Sequence, residues 1–283
     1  MTANGPSPNW SIAARTPDGR LMPRFLLDLE LDGSAFAGTQ WQKGQRTVQA
    51  ELESAVEGLD NQHRHVRLAS RLDSGVDAEH LPCDVELSRD WRPAVLCQAL
   101  TDRLPQDLAI RRAAIVADGF NAIGDAIGKT YRYRVRLRPV RPPRDRRCWW
   151  VRRLDRPDLL QPCADLLVGR KDLSGFANLR HDESDSHDPV RGIVSATWTS
   201  EAEVDGCLLT FRVSGDGFLY RQVRGFVGAM AAVATGRWPF EEFAACCANG
   251  RQAAKVGNVA PPDGLCLESV RYDPEPGWAV AAS

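Results

Sequence analysis

The chain has 283 residues, 43% of them hydrophobic and 26% charged, with a formal net charge of −1. Those proportions suit a folded protein with its own core and exclude collagen-like and intrinsically disordered classes. Eight cysteines show no CxxC pair and no zinc-like spacing with histidine, and no apolar run approaches the roughly 20 residues of a membrane helix, so the chain reads as a cytosolic, reduced-thiol protein without metal or membrane anchor.

Residues 1–22 mix Pro, Asn, Ser, Gly and Arg and read as a loose tail. Phe25, Leu27, Leu29 and Leu31 alternate with polar residues and predict a strand. Val48, Leu52, Val56 and Leu59 recur at helical spacing, with Thr47 placed to cap the helix. Val66 and Leu68 mark a short strand, and Cys83, Val85 and Leu87 another. Pro93 opens a helix to about Leu104, and a fourth strand starts at Leu108 and Ile110. The order is β-α-β-β-α-β.

The second half repeats that order. Tyr131, Tyr133, Val135 and Leu137 alternate with Arg132, Arg134, Arg136 and Arg138, the clearest period-two signal in the chain. Leu159, Cys163, Leu166 and Leu167 form a helical stripe that Gly169 stops. Strands follow at Ile193–Trp198 and Leu209–Val213, then a long helical face at Leu219, Val223, Phe226, Val227 and Met230, a further helix after Pro239, and a last strand over Leu265–Val270. The pattern predicts an α+β fold of two ferredoxin-like split βαβ subdomains, residues 23–124 and 125–275, with antiparallel sheets side by side around a central cleft, and a C-terminal tail at 276–283.

The near-neutral balance argues against a uniformly basic nucleic-acid binder, but charge is unevenly distributed. Between Lys129 and Arg153 there are eleven basic residues and one acidic one, Asp145. Such a stripe suits a phosphate footprint, and equally a solvated strand face and loop.

Three segments stand out. SRLDSGVDA, Ser70 to Ala78, places Arg71 and Asp73 before a glycine, Gly75; it suits a reactive loop or a turn with a surface ion pair. KTYRYRV, Lys129 to Val135, puts two tyrosines on one strand face, for a site or for the core. GFLYRQVRGFVG, Gly217 to Gly228, sets Arg221 and Arg224 on an otherwise apolar helix, for a site or as surface arginines lying along the helix. The acidic and histidine-containing run His181 to Asp188 reads as a solvated loop rather than a metal centre, because its spacing gathers no ligands on one face.

Together, in this order, the three segments resemble the TruA family of tRNA pseudouridine synthases. Its GRTDxGVHA-like loop is matched by Ser70–Ala78, its KxYxY strand by Lys129–Tyr133 and its FxxxxVR helix by Phe218–Arg224. DGSAFAGTQWQ, Asp32 to Gln42, is similar to the family's opening YDGxxFxGWQxQ segment. GLCL, Gly264 to Leu267, is similar to its GLxL strand, and Arg191 to its arginine ahead of a later strand. The resemblance spans about residues 24–273. It implies an isomerase converting uridine to pseudouridine in tRNA, in the anticodon stem-loop, as a homodimer and without a cofactor. Departures fall at Ser70 and Leu72 for Gly and Thr, at Asp77 for His, at Thr39 for Trp, and at Ile123 where the family has an arginine.

The same resemblance implies the roles. Asp73 is the catalytic carboxylate and nucleophile. Arg224 is its counter-charge; at roughly 4 Å, such a pair is worth on the order of 4 kcal/mol at an effective dielectric near 20. Tyr131 stacks on the uracil and is placed for proton transfer, and Leu265 closes the other side of the base. Arg71 holds the flipped-out nucleotide. If Tyr131 faces the cleft, alternation turns Arg132 to Arg138 away, which leaves Arg144, Arg146 and Arg147 in the following loop as phosphate contacts. A catalytically inactive RNA-binding protein on the same scaffold is the alternative.

Overall fold

The computed structural model describes residues 22–145, 147–178, 188–250 and 259–280. Most of the N-terminal tail, Arg146 and the run from His181 up to His187 lie outside them. Eleven strands form one mixed sheet. The first half supplies β1 (Arg24–Leu31), β2 (Arg67–Leu68), β3 (Asp77–Glu86) and β4 (Leu108–Val116), with helices α1 (Val48–Asp60) and α2 (Pro93–Thr101). The second supplies β5 (Ala126–Leu137), β6 (Trp149–Val151), β7 (Gly169–Asp172), β8 (Val190–Glu203), β9 (Gly206–Gly215), β10 (Leu265–Tyr272) and β11 (Ala279–Val280), with α3 (Leu160–Asp165), α4 (Gln222–Ala234) and α5 (Phe240–Asn249).

The strand order is β11-β4-β1-β3-β10-β5-β9-β8-β7, with β2 beside β3 and β6 beside β5. The halves meet where β3 and β10 run parallel, pairing Asp77 with Cys266 and Ala78 with Leu267. The other main-path pairings are antiparallel. Ala279–Val280 add an edge strand against Arg112 and Ala113, where the sequence pattern suggests only a tail.

The predicted alternations settle which face is buried. Phe25, Leu27, Leu29 and Leu31 of β1 and Tyr131, Tyr133 and Val135 of β5 join the apolar faces of the five α-helices among the described residues in one core. Thr47 caps α1 by accepting a hydrogen bond from Ala50 N at 3.3 Å. On the opposite face two arginines of β5 and the one just after it are tied into ion pairs: Arg132 to Glu79 and Glu268, Arg136 to Asp145 and Glu203, and Arg138 to Asp205.

Two contacts fix the loop and helix that carry Asp73 and Arg224. The buried Thr39 clamps the segment leading to Asp73: its Oγ1 accepts from Leu72 N at 2.9 Å, and its own N–H donates to Leu72 O at 3.1 Å. Gly225 lets α4 press against the short 3-10 turn Ser174–Phe176, since a Cβ there would stand 1.8 Å from Phe176 O.

Replacing Thr39 by Val strips Leu72 N of its acceptor and should cost about 1–3 kcal/mol in denaturant unfolding, whereas Thr39→Ser should recover most of the loss. Gly225→Ala should force α4 outward, cost on the order of 1–3 kcal/mol, and lower the thermal midpoint by several degrees. An unchanged melt would show that the helix can slide off the turn freely.

Candidate active site

A cavity of about 310 Å³ opens on the helix side of the sheet, at the seam between the halves. That is within the usual range for a small-molecule or nucleotide pocket. Three walls meet there. The Ser70–Val76 loop brings Arg71 and Asp73; β5 brings Lys129 and Tyr131; the start of α4 and the turn before it bring Phe218, Arg221 and Arg224. Leu265 and Ile123 complete the lining.

The loop is short because β3 starts at Asp77, only four residues after Asp73. Gly75 makes the turn with φ +80°, a conformation side chains with a Cβ rarely adopt, and Val76 N donates back to Asp73 O at 3.2 Å. Asp77 braces the start of the strand by accepting a hydrogen bond from Gly33 N at 2.8 Å, and burial raises its pKa. The position where the resemblance expects histidine is thus structural in this chain.

Asp73 is the one carboxylate lining the cavity among the described residues. Arg224 Nη1 donates to its Oδ2 at 2.5 Å, and Arg221 Nε stands 3.5 Å from the same oxygen. Arg224 is held from behind as well: its Nε donates to Ala260 O at 2.7 Å, and Ala260 N donates to Arg224 O. The ion pair therefore joins residues 151 positions apart in the chain. Arg224 and Asp73 are only 11% and 15% exposed, while Arg221 is 37% exposed, so the first pair is the stronger one.

Tyr131 is 8% exposed and packs edge-on against Phe218, with ring centroids 5.3 Å apart. Burial pushes its phenol up to about 12; the Ser70 hydroxyl works against that shift and the Asp73 charge adds to it. The phenol is therefore protonated at neutral pH. Ser70 Oγ is buried and has no hydrogen-bond partner of normal geometry among the described residues. Leu265 pairs with Tyr133 across β10 and β5, and is 7% exposed.

The structure thus brings Arg71, Asp73, Tyr131, Arg224 and Leu265 to one cavity. It does not bring the loop arginines there. Arg147 pairs with Asp32 at 2.7 Å and borders a second cavity, lined also by Asp77, Arg132 and Cys266. Arg144 is exposed, and Arg146 lies outside the described residues. Arg191 donates to the carbonyls of Asp188 and Val190 at the start of β8. The sequence reading gave no separate role to Lys129, which lines the cavity. The available signal was strand parity: Lys129 shares the face of Tyr131 and Tyr133, whereas Arg132 and Arg134 do not.

A model of the tRNA pseudouridine synthase family matches residues 163–273. Three relatives called tRNA pseudouridine synthase A align over nearly the whole chain. That of Mesorhizobium japonicum is 36% identical over 256 residues, covering 89% of this chain and all of the relative. That of Methylocella silvestris is 35% identical, covering 89% and 99%. That of Solidesulfovibrio magneticus is 37% identical, covering 89% and 92%. With 89% of its length aligned at more than a third identity, this chain belongs to the tRNA pseudouridine synthase A family of isomerases.

Proposed function

We propose that this protein isomerises uridine to pseudouridine in the anticodon stem-loop of tRNA, with Asp73 as the nucleophile. The observation that carries the reading is the carboxylate of Asp73, held at 2.5 Å by Arg224 in a cavity lined also by four cations, Tyr131 and several apolar side chains. In this reading the target nucleotide flips into the cavity, Tyr131 and Leu265 enclose the uracil, and Arg71 holds the nucleotide. Asp73 attacks C1′ as the C1′–N1 bond breaks. The base turns, C5 bonds to C1′ as the Asp73–C1′ ester bond breaks and returns the carboxylate, the C5 proton leaves, and N1 takes up a proton. The atoms balance, so no cofactor is consumed.

The protein works in the cytoplasm, as a homodimer that gives a large tRNA a second surface. Arg144, Arg146 and Arg147 contact phosphates; Arg147 exchanges Asp32 for RNA to do so. Two ferredoxin-like units, residues 23–124 and 125–275, frame the site. The matching strand orders β4-β1-β3-β2 and β10-β5-β9-β8 support that duplication.

Asp73→Asn should abolish tritium release from C5-labelled uridine in tRNA while leaving affinity within a few-fold in filter binding, because the amide keeps the shape and loses the attacking oxygen. A folded, fully active Asn variant would remove Asp73 as the catalyst, and binding without turnover in the parent protein would favour an inactive RNA-binding scaffold. Arg224→Met should cut turnover far more than it weakens binding, since the helix keeps its bulk while Asp73 loses its nearer counter-charge. Full activity in that variant would transfer the role to Arg221.

A further inference from the structure

Lys129 is a part-buried cation of the cavity that enters no ion pair among the described residues. Arg221 and Arg224 share Asp73, and Arg71 is exposed to solvent. Lys129 is part-buried beside Tyr131, and among the described residues its Nζ donates to one protein acceptor, Ala69 O, at 2.8 Å. No carboxylate lies within ion-pair distance of it among the described residues. An ammonium has three N–H donors, so two remain for a ligand. On the adjoining loop, next to Ala69, Ser70 Oγ is buried with no hydrogen-bond partner among the described residues. Burying an ammonium without a counter-charge is unfavourable, and burial pushes its pKa down to about 8. A site that tolerates this cost is built for negative charge arriving with the substrate or developing during the reaction.

The chemistry of the proposed isomerisation supplies such a charge. When C1′–N1 breaks, the bonding electron pair stays with the base, and the detached uracil is an anion whose charge is shared between N1 and its carbonyl oxygens. Asp73 and its arginines serve the sugar end of that bond. We propose that Lys129, with Ser70 beside it, binds a carbonyl oxygen of the target uracil and stabilises the uracil anion while the base turns to present C5. This rests on the reading of the cavity as a uridine isomerase site. Lys129 then acts on the leaving base as an oxyanion site acts on an acyl intermediate: its attraction grows as the bond breaks, so it lowers the barrier rather than merely tightening the ground-state complex.

The test compares single-turnover rates of the parent, Lys129→Met, Lys129→Gln and Lys129→Arg proteins on two stem-loop RNAs, one carrying uridine and one carrying 5-fluorouridine at the target. Cleavage is read as loss of the original N-linked nucleoside after nuclease digestion. Fluorine withdraws electrons and makes the uracil a better leaving anion, so a missing cation matters less. Lys129→Met should slow the uridine reaction about 100-fold, the scale of losing one oxyanion donor, with RNA affinity within a few-fold. On 5-fluorouridine the loss should shrink to under about tenfold, and Lys129→Arg should keep most of the rate on both RNAs.

Lys129→Gln retains a donor for Ala69 O without the charge, and should be as slow as Lys129→Met. Recovery in the Gln protein, or equal losses on the two RNAs, would reduce Lys129 to a clamp on the Ala69 carbonyl and overturn the inference. A loss confined to RNA affinity would make it a phosphate ligand and overturn it as well. Failure of the parent protein to isomerise uridine would instead sink the functional reading. A parent that is active and matched by Lys129→Met would sink this inference alone.

Discussion

The ion pair between Asp73 and Arg224 depends on both halves of the chain at once. Asp73 sits on a loop between β2 and β3, and Arg224 on a helix that packs under the strands of the second half. Bringing them to 2.5 Å requires the halves to be docked in one register, and at the centre of the sheet the short parallel pairing of β3 with β10 joins their strands. A mostly buried ion pair returns little net stability, because desolvating two charges offsets most of their attraction. Its value here lies in geometry. The arginine is fixed by Ala260 on one side and the aspartate on the other, so the carboxylate is presented in one orientation instead of sampling many.

The sheet divides its charges by face in the same way. Along β5, alternate side chains go to the helix side and to the opposite side, and the two faces do different work. Tyr131, Tyr133 and Lys129 go to the helix side, where cavity and core lie, while Arg132, Arg136 and Arg138 find carboxylates on the other. A stripe that looks like a phosphate footprint in sequence is thus largely neutralised within the fold. What a run of basic residues means depends on parity and on the acids opposite, neither of which a charge count contains.

Elements long enough to bury a face were legible in the sequence, because burial itself imposes the period. That holds for β1, α1, β5 and α4. The strands β6, β7 and β11 were not, since two to four residues such as Trp149–Val151 or Ala279–Val280 take their structure from the neighbour they pair with. The start of β3 was hidden because Asp77, Glu79 and His80 are polar: their side chains lie on the ion-paired face, where His80 meets the buried Asp28. At the site, the spaced motifs led to Asp73, Tyr131 and Arg224. Thr39 and Asp77 read as departures from the family pattern, yet one clamps the loop before Asp73 and the other braces the strand after it. Such roles are hydrogen bonds to backbone groups of a distant segment, and no local pattern encodes them.

The cavity's charge balance differs from that of the chain. Overall the protein carries a formal charge of −1, yet its cavity is lined by four cations and one carboxylate. The excess is concentrated where walls of low polarity, including Phe218, Leu265 and Val223, keep water from screening it. A polyanion approaching a nearly neutral surface would be drawn to that opening. The same concentration constrains the chemistry inside. With Asp73 already engaged by two arginines, any further negative charge created there must be met by the remaining cations, and Lys129 is the one placed beside Tyr131, where a flat base would lie.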